Sequence, residues 1–548
     1  MRRPSKLKRT CSSRNSSAVF TETPVVHTLP PELCAIIASY AALQTISRLS
    51  RASRRLHMLF TPLLYQDVGR LTAIQSLRLI ETLNLDICAQ QRPHPGGFIR
   101  QLYLSHVATE LVKNGASESA LQNIYRLLPA TYESQLRTLH FNVASGINAL
   151  GSIVVNFPHL KELFVSCSAL DVDNFTFMQK GGLDAFGLAL EVDLENTMLE
   201  CPESEQVLLK LSEAFQKLPL TSPRLHELRF ALKIRYCDED ELPLSALSDL
   251  SDALNCLCFP SLEKLDLACD LSYDGELDDL PCFDLEEFID NQSQLLHLAL
   301  DVPDLALYDL VGTSRLRSFR GHASDAVHLL AQNDLRLEEL HLMYIHRSFS
   351  EPPSLHVPQF PSLSTLTKLS VSLVDACGNA MKSMDELKSG SLQSFVTSFP
   401  NLTHLDVPIN KPMWTYTDVF SRLTRLESLR LSEYHIQDVP IGATLSELFP
   451  HKPYITEIYR LLPSLAHLKD VAVSLLVDDG DKDELWMPCE CRTNVYVNLM
   501  LDMPETRVDY EFVVLRAAAR PEVVLAHSEF MDKRTKRRVR HPPVHADL

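Results

Sequence analysis

The stretches "LHELRF" (residues 225–230) and "LEKLDL" (residues 262–267) share one pattern, in which leucine or phenylalanine fills the first, fourth and sixth positions. The last two apolar positions alternate with polar residues, as in a short strand that buries one face and exposes the other. Each stretch therefore predicts a strand with its large apolar side chains turned toward a core. Its recurrence predicts the fold of most of the chain.

The pattern recurs over nearly 400 residues. Clear copies begin at Leu160, Leu225, Leu262, Leu295, Leu337, Leu366, Leu402 and Leu426, and looser ones begin at Ile99, Leu136, Leu183, Leu316 and Leu465. Stretches with helical spacing precede several copies, at residues 119–129, 205–219, 325–332 and 455–463. A helix–turn–strand unit of this size cannot bury its own apolar face, so neighbouring units are expected to stack into a continuous core.

These repeats resemble the leucine-rich repeat family over residues 98–473. The resemblance implies an α/β fold in which an irregular, horseshoe-shaped solenoid fills residues 71–475. Copies lie 21 to 42 residues apart, whereas the family's usual period is about 20–29. The family's turn-forming asparagine appears only as Asn410. We therefore expect insertions or loops at 166–225 and 270–284.

A different pattern, "TLPPELCAIIASY" (residues 28–40), precedes the repeats. Pro30 and Pro31 favour the first turn of a helix, and Glu32 suits its positive end. One face of that helix would carry Leu33, Ile36, Ile37 and Tyr40. The run at 43–68 has Ile46, Leu49 and Leu56 on one side and Arg48, Arg51, Arg54 and Arg55 on another. About forty residues make a poor independent core, so we expect another surface to cover these apolar faces.

Residues 29–65, with their "LPPEL" start and "PLLY" end, resemble the F-box, a three-helix module of substrate adaptors. The resemblance implies a helical module at 25–70 that docks on the small adaptor subunit of cullin-RING (SCF-type) ubiquitin ligases. The adaptor-binding positions that it implies are Leu29, Pro30, Leu33, Ile36, Ile37, Ile46, Leu49, Leu56, Pro62, Leu63 and Leu64. The link between the first two helices is a residue or two shorter than in the family, and Thr45 stands where the family often has aspartate. The alternative is that these helices only cap the first repeat.

Charge is unevenly distributed along the 548 residues, whose net charge is -18. Residues 237–290 hold seventeen Asp or Glu and one base, Lys264. Such a segment favours a basic protein partner and disfavours specific nucleic acid binding, although it would also serve as a solvated acidic face. A strand-rich cap is expected at 476–530, including 494–501 and 509–515, and a basic disordered tail at 531–548. That tail suits a nuclear localisation signal, a phosphate-binding patch or simple solvation.

Localisation is predicted from the amino terminus and from the cysteines. No stretch approaches the ~20 apolar residues of a membrane span, and the basic, serine-rich start (1–24), expected to be disordered, lacks the apolar segment of a secretion signal. We expect the cytoplasm, the nucleus or both, with a mitochondrial transit peptide as the alternative. The thirteen cysteines are scattered. The closest pairs, Cys256 with Cys258 and Cys489 with Cys491, lack the second ligand pair of a metal site.

Candidate binding residues lie at polar positions of the repeat strands. We expect no cofactor and no catalytic residue, because the sequence contains no phosphate loop, nucleophile elbow or zinc-protease motif. The substrate-binding candidates are Tyr103, His140, Phe164, Arg229, His297, His341, Met343, His404 and Arg430. With His322 and His467, the histidines among them would form a row on one concave surface, used for recognition or serving only as polar coverage of the sheet.

Together these patterns predict a non-catalytic adaptor that joins a ubiquitin ligase to a protein substrate. One alternative is a leucine-rich-repeat interaction scaffold whose first helices only cap the repeats. The other is a hydrolase on an unrecognised α/β framework, which would show a deep pocket with a strongly shifted acid or base.

Overall fold

The structure is a computed structural model that describes the helical module, most of the repeats and the carboxy-terminal strands. The described residues are 30–41, 43–68, 98–103, 135–142, 151, 154–155, 157–168, 175–193, 201–236, 244–273, 285–302, 314–331, 335–346, 362–375, 389–409, 412–436, 452–478, 506–515, 522–532 and 537–541. Several predictions fall outside them, namely those for 1–24, Leu29, the helix at 119–129, Cys489, Cys491 and the strand at 494–501.

Three helices form at the predicted amino-terminal module: α1 (Pro31–Tyr40), α2 (Leu43–Ala52) and α3 (Arg54–Gln66). Proline at the start of α1 fits a first turn, since the missing N–H has no partner there in any helix. The Ser53 hydroxyl caps α3 by accepting a hydrogen bond from the Leu56 N–H at 3.2 Å. The module's small core consists of Cys34, Ala38, Ile46, Leu56 and Phe60.

Seventeen strands follow α3 in the described part of the chain. They are β1 (Asp67–Val68), β2 (Gln101–Tyr103), β3 (Thr138–Asn142), β4 (Glu162–Ser168), β5 (Ala185–Asp193), β6 (Glu227–Tyr236), β7 (Lys264–Tyr273), β8 (His297–Asp301), β9 (Ser318–His322), β10 (Glu339–His346), β11 (Lys368–Asp375), β12 (His404–Ile409), β13 (Ser428–Ile436), β14 (Asp470–Asp478), β15 (Thr506–Leu515), β16 (Glu522–Asp532) and β17 (Arg537–His541). Each strand pairs with the next in chain order, in parallel from β1 to β14 and antiparallel from β14 to β17. The fold is thus mixed α/β.

Helices connect many of the parallel strands. They are α4 (Cys201–Thr221), α5 (Leu244–Asn255), α6 (Glu286–Asp290), α7 (Ala323–Leu330), α8 (Ser389–Ser398), α9 (Thr417–Phe420) and α10 (Lys452–Leu461), with 3-10 turns at Thr176–Gln179 and Met413–Tyr416. Helices α4, α7 and α10 lie where helical spacing predicts them at 205–219, 325–332 and 455–463.

One core runs under the sheet and takes the apolar positions of successive repeats. Leu225, Leu228 and Phe230 of one copy are buried, as are Leu262 and its equivalents. Helices supply the other side of this core, for example through Phe215 of α4, whose ring packs edge-on against Phe230 with centroids 5.0 Å apart. The leucines therefore do what the repeat pattern predicts: they seal each unit against its neighbours.

Three expectations about chain organisation are corrected. The stretch 166–225 holds regular structure, strand β5 and helix α4, because the copy at Leu183 stacks in register between β4 and β6. The last copy begins at Leu468 instead of Leu465, since Val471 and Val473 are the residues that enter the core.

The third correction concerns the tail at 531–548, which is expected from its composition to be disordered. Its residues Arg537–His541 form strand β17, which pairs with β16. The backbone register sets Arg540 opposite Glu529 and Arg537 opposite Asp532. The predicted strand at 509–515 is confirmed as part of β15.

Candidate interaction surfaces

Helix α1 turns its large apolar side chains toward solvent and its small ones inward. Leu33, Ile36, Ile37 and Tyr40 are exposed by 44%, 54%, 42% and 89%, and we call this set the α1 face. Cys34 and Ala38, one helical turn apart, pack in the module's core instead. Since solvated isoleucine and leucine contribute little to folding, the α1 face has the composition of a contact surface.

The other implied adaptor-binding residues are distributed differently. Ile46 and Leu56 are buried in the small core, so they hold the helices together. Five positions remain accessible to some extent: Pro30 is exposed, and Leu49, Pro62, Leu63 and Leu64 are half-buried. Sequence reasoning missed Met58, which is 67% exposed on α3 and adds apolar surface to the module. Its position two residues after the buried Leu56 places it off the inward side of the helix, a signal that the sequence does contain.

Basic side chains accompany this apolar surface. All four arginines of the second predicted run, Arg48, Arg51, Arg54 and Arg55, are exposed on α2 and α3. A partner surface that meets these helices with acidic residues around an apolar centre would complement both features.

The module also joins the sheet, through the end of α3. That helix leads directly into β1, which pairs with β2, and Tyr65 packs against the main core. The carboxy-terminal side of the module therefore caps the first strands. The α1 face takes no part in either core cluster.

The second surface is the open face of the sheet, opposite the leucine core. Its outward residues fall into rows that cross the strands. The rim row includes Glu162, Ala185, Glu227, Lys264, His297, Glu339, Lys368, His404 and Asp470. Two residues further along each strand, the middle row includes Tyr103, His140, Phe164, Gly187, Arg229, Asp266, Arg320, His341, Asp406 and Arg430. The third row includes Ala189, Ala231, Ala268, Met343 and Ser372.

Four of the predicted histidines share the open face, but the six do not form one row. His140 and His341 lie in the middle row, whereas His297 and His404 lie in the rim row. The remaining two differ again: His322 ends β9 and is buried, and His467 precedes β14. Because side chains alternate along a strand, a shift of two residues keeps the face but changes the row.

The other substrate-binding candidates are also placed by this register. Tyr103, Phe164, Arg229 and Arg430 share the middle row with His140 and His341. Met343 belongs to the third row and is buried. Sequence reasoning missed Asp266, Arg320 and Asp406, although "LEKLDL" and "LTHLDV" hold the two aspartates between their last two apolar positions.

An aromatic stack occupies the β2–β4 part of the middle row. The ring centroids of Tyr103 and His140 are 4.0 Å apart, and those of His140 and Phe164 are 4.4 Å apart, with nearly parallel planes. Beyond Gly187, the Arg229 guanidinium lies 5.0 Å from the centroid of Phe164. Arg229 also donates from Nε to Glu227 Oε1 at 2.6 Å. A carboxylate and an aromatic ring thus hold one guanidinium on this face.

Burial perturbs the titration of the middle row. Burial, with a smaller effect of Arg229, lowers the pKa of His140 to about 4. Burial and Arg320 likewise lower the pKa of His341 to about 4, and this ring is within 3.0 Å of the Ser372 hydroxyl. Burial raises the pKa of Asp266 and of Asp406, against the pull of nearby arginines. The middle row is therefore partly dehydrated, and both histidines are neutral near pH 7.

A cavity of about 320 Å³ lies at the rim row, where β4 to β7 begin. Four carboxylates line it, Glu162, Asp184, Glu227 and Glu263, together with Ala185, His226 and Lys264. Two of the acids have nearby cations, since Asp184 pairs with Lys161 at 3.4 Å and Glu227 pairs with Arg229. Within the described residues, Glu162 and Glu263 form no ion pair, and Glu162 accepts a hydrogen bond from the Thr138 hydroxyl at 2.9 Å.

The described part of the chain contains neither a metal-binding cluster nor a membrane-spanning helix. No three histidine, cysteine, aspartate or glutamate side chains of the described ranges are grouped closely enough to hold a metal ion. Of the helices that the structure describes, none combines the length and the apolar character needed to cross a membrane.

The sequence matches no model of a known protein family, and no curated protein matches it.

Proposed function

We propose that this protein is a substrate adaptor of an SCF-type cullin-RING ubiquitin ligase. In this proposal the helices α1 to α3 are an F-box-like module, and the repeats form a leucine-rich-repeat solenoid. The small adaptor subunit of the ligase binds the α1 face, and a protein substrate binds the open face of the sheet. The chain would itself transfer nothing; it would raise the local concentration of substrate beside a recruited ubiquitin-charged enzyme.

The α1 face is the observation that carries the proposal. A helix that only capped the sheet would gain stability by turning isoleucine and leucine inward, yet α1 turns Cys34 and Ala38 inward. At about 25 cal/mol per Å² of apolar area, covering these side chains would supply several kcal/mol to an association. The F-box-like string at 29–65 indicates which partner supplies the cover.

The proposal that the repeats form a leucine-rich-repeat solenoid is supported by the pairing register of the strands. Strands β2 to β14 pair in parallel and in chain order, with one leucine or another apolar residue of each copy at equivalent inward positions. Stacking of this kind leaves a broad face whose outward residues come from many repeats, a surface suited to binding a protein chain.

The test is recovery of the ligase adaptor subunit when it is coexpressed with the tagged full-length chain. Ile36→Asp places a charge in the α1 face and should reduce recovery at least ~10-fold, since burying an unpaired charge costs more than about 2 kcal/mol. Leu209→Asp, at an exposed leucine of α4, is the matched control and should leave recovery unchanged. Equal recovery with both variants would count against the proposal.

The scaffold alternative has an observation in its favour, the junction of α3 with β1, which seals the first strands. It differs in what it expects from the same experiment. A pure cap requires no adaptor subunit, so the wild-type chain would then recover none.

A further inference from the structure

The rim cavity and the aromatic stack adjoin one another on the open face. Strand β5 contributes only small residues here, Ala185 in the rim row and Gly187 in the middle row. Its neighbours supply the walls, Glu162 and Phe164 from β4 and Glu227 and Arg229 from β6. At a spacing of ~4.8 Å between strands, the two walls stand roughly 10 Å apart across β5. We call this feature the β5 slot.

The walls have the chemistry of a cation site. Glu162 lines the slot from β4 without an ion pair to any described residue, and it accepts a hydrogen bond from Thr138 of the neighbouring strand β3. Glu227 stands on the other side. Among the described residues that line the cavity, Lys264 is the one amine, beside four carboxylates, and its ammonium is 3.9 Å from Glu227.

Arg229 shows how a guanidinium is held at this place. It bonds the Glu227 carboxylate and lies over the Phe164 ring at one end of the slot. The cavity lies at the rim end of the slot, beside Ala185, and its volume of about 320 Å³ is at the small end of ligand-sized cavities. That volume suits one long side chain of a docked polypeptide better than a large molecule.

We propose that the β5 slot receives an arginine or lysine side chain from a basic segment of the protein substrate, with Glu162 and Glu227 holding the cation. The adjoining stack of Tyr103, His140 and Phe164 packs against the rest of that segment. The inference rests on the proposed function only in taking the open face as the substrate-binding face. The charge of the sequence favours the same class of partner, because residues 237–290 carry seventeen acids and one base.

Partial dehydration of the neighbouring middle row supports the same site. His140 on one side and Asp266 on the other are both shifted toward their neutral forms by burial. A cation placed beside groups that have already lost water meets its carboxylates in a less polar medium, where charge pairs are stronger than at a fully hydrated surface.

The test measures peptide binding to the purified full-length chain, with no ligase subunit present. The probe is a fluorescein-labelled twelve-residue peptide of alternating arginine and serine, followed by anisotropy at about 0.1 M salt. Parallel probes replace arginine with lysine or with its neutral isostere citrulline. We expect binding of the arginine or lysine peptide, or both, and none of the citrulline peptide. Which of the two binds tighter identifies the preferred side chain.

Three variants locate the binding. Glu162→Gln with Glu227→Gln should weaken it about 5-fold or more, by removing both charges that contact the cation. The control Glu339→Gln with Asp470→Asn removes two charges from the same rim row, outside the slot, and should weaken binding less than about 2-fold. Ala185→Leu adds apolar volume at the slot without changing any charge and should weaken binding at least as much as the double slot variant. Thermal unfolding verifies that each variant is folded.

Equal affinities for the two double variants would overturn the proposal, as would full binding by folded Ala185→Leu or no binding by the wild-type chain. The outcome is separable from the ligase assignment. Ile36→Asp should leave peptide binding intact, and the double slot variant should leave recovery of the adaptor subunit intact.

Discussion

The amino-terminal helices and the repeat sheet treat the same kinds of side chain in opposite ways. In the sheet, Leu228 and Phe230 of β6 are buried beneath helices, while Glu227 and Arg229, which alternate with them, lie on the open face. In α1, Ile36 and Tyr40 face water while Cys34 fills the core. The large apolar residues of the sheet are thus buried in its core, whereas those of α1 lie on the protein surface. The difference separates apolar residues that stabilise the fold from apolar residues that remain accessible at the surface.

Truncation of a sealed aromatic ring should have the largest effect. Phe230→Ala removes a fully buried side chain that packs on Phe215, and we expect a loss of about 3–5 kcal/mol in the free energy of unfolding. Urea denaturation followed by circular dichroism measures it. A loss below about 1 kcal/mol would show that the sheet core is not sealed at this position.

Loss of the module's own aromatic ring should have a smaller and more local effect. Phe60 belongs to the small core, which shares no residue with the main one. Phe60→Ala should speed hydrogen exchange in residues 31–66 and leave β6 to β8 protected, since separate core clusters open separately. Faster exchange in both regions would mean that the two cores unfold as one unit.

The neutral histidines give a moderate, pH-dependent effect. The pKa of His140 and of His341 is about 4 in the folded chain, below the ~6.5 of an unfolded chain. Between these values the unfolded state binds more protons, so stability is greatest above pH 6.5 and is lost as the pH falls toward 4. His140→Gln with His341→Gln should flatten the fall in Tm between pH 6.5 and 4.5 by about 2 °C or more. An unchanged pH profile would contradict burial of these rings.

The smallest effect on stability is expected at the α1 face. Tyr40→Ala, matched to Phe230→Ala as an aromatic truncation, removes a ring that is 89% exposed. The free energy of unfolding should change by no more than about 0.5 kcal/mol, as for most surface substitutions. A loss comparable to that of Phe230→Ala would place Tyr40 in a core and remove the contrast between the regions.

Much of this contrast between buried and exposed apolar residues can be predicted from the sequence. The spacing of "LHELRF" and its equivalents predicts which side chains enter the core, because two-residue alternation fixes the face of a strand. Twelve of the thirteen copies are in the predicted phase. The copy at Leu465 misled because Leu465 and Leu468 are both buried and lie three residues apart, the spacing of the first two apolar positions of the pattern. The sixth position from Leu465 is Asp470, whereas Leu468 is followed by Val471 and Val473 at the expected positions.

The open face is less predictable from sequence. His341 and His404 appear in similar repeats, yet the first lies between the two strand leucines and the second before them, which places them in different rows. Counting positions within the repeat recovers that difference. The β5 slot cannot be found in this way, because it depends on which strands adjoin Ala185 and on the lean of Arg229 toward Phe164. Strand adjacency and the position of Arg229 are features of the tertiary structure, which the repeat pattern does not specify.

Hydrogen exchange of the full-length chain, with and without the purified ligase adaptor subunit, tests the central claim most directly. If that subunit covers the α1 face, amides of residues 31–40 should exchange at least ~10-fold more slowly in its presence, while β6 to β8 should be unaffected. Unchanged exchange in residues 31–40 at saturating adaptor subunit would contradict the account.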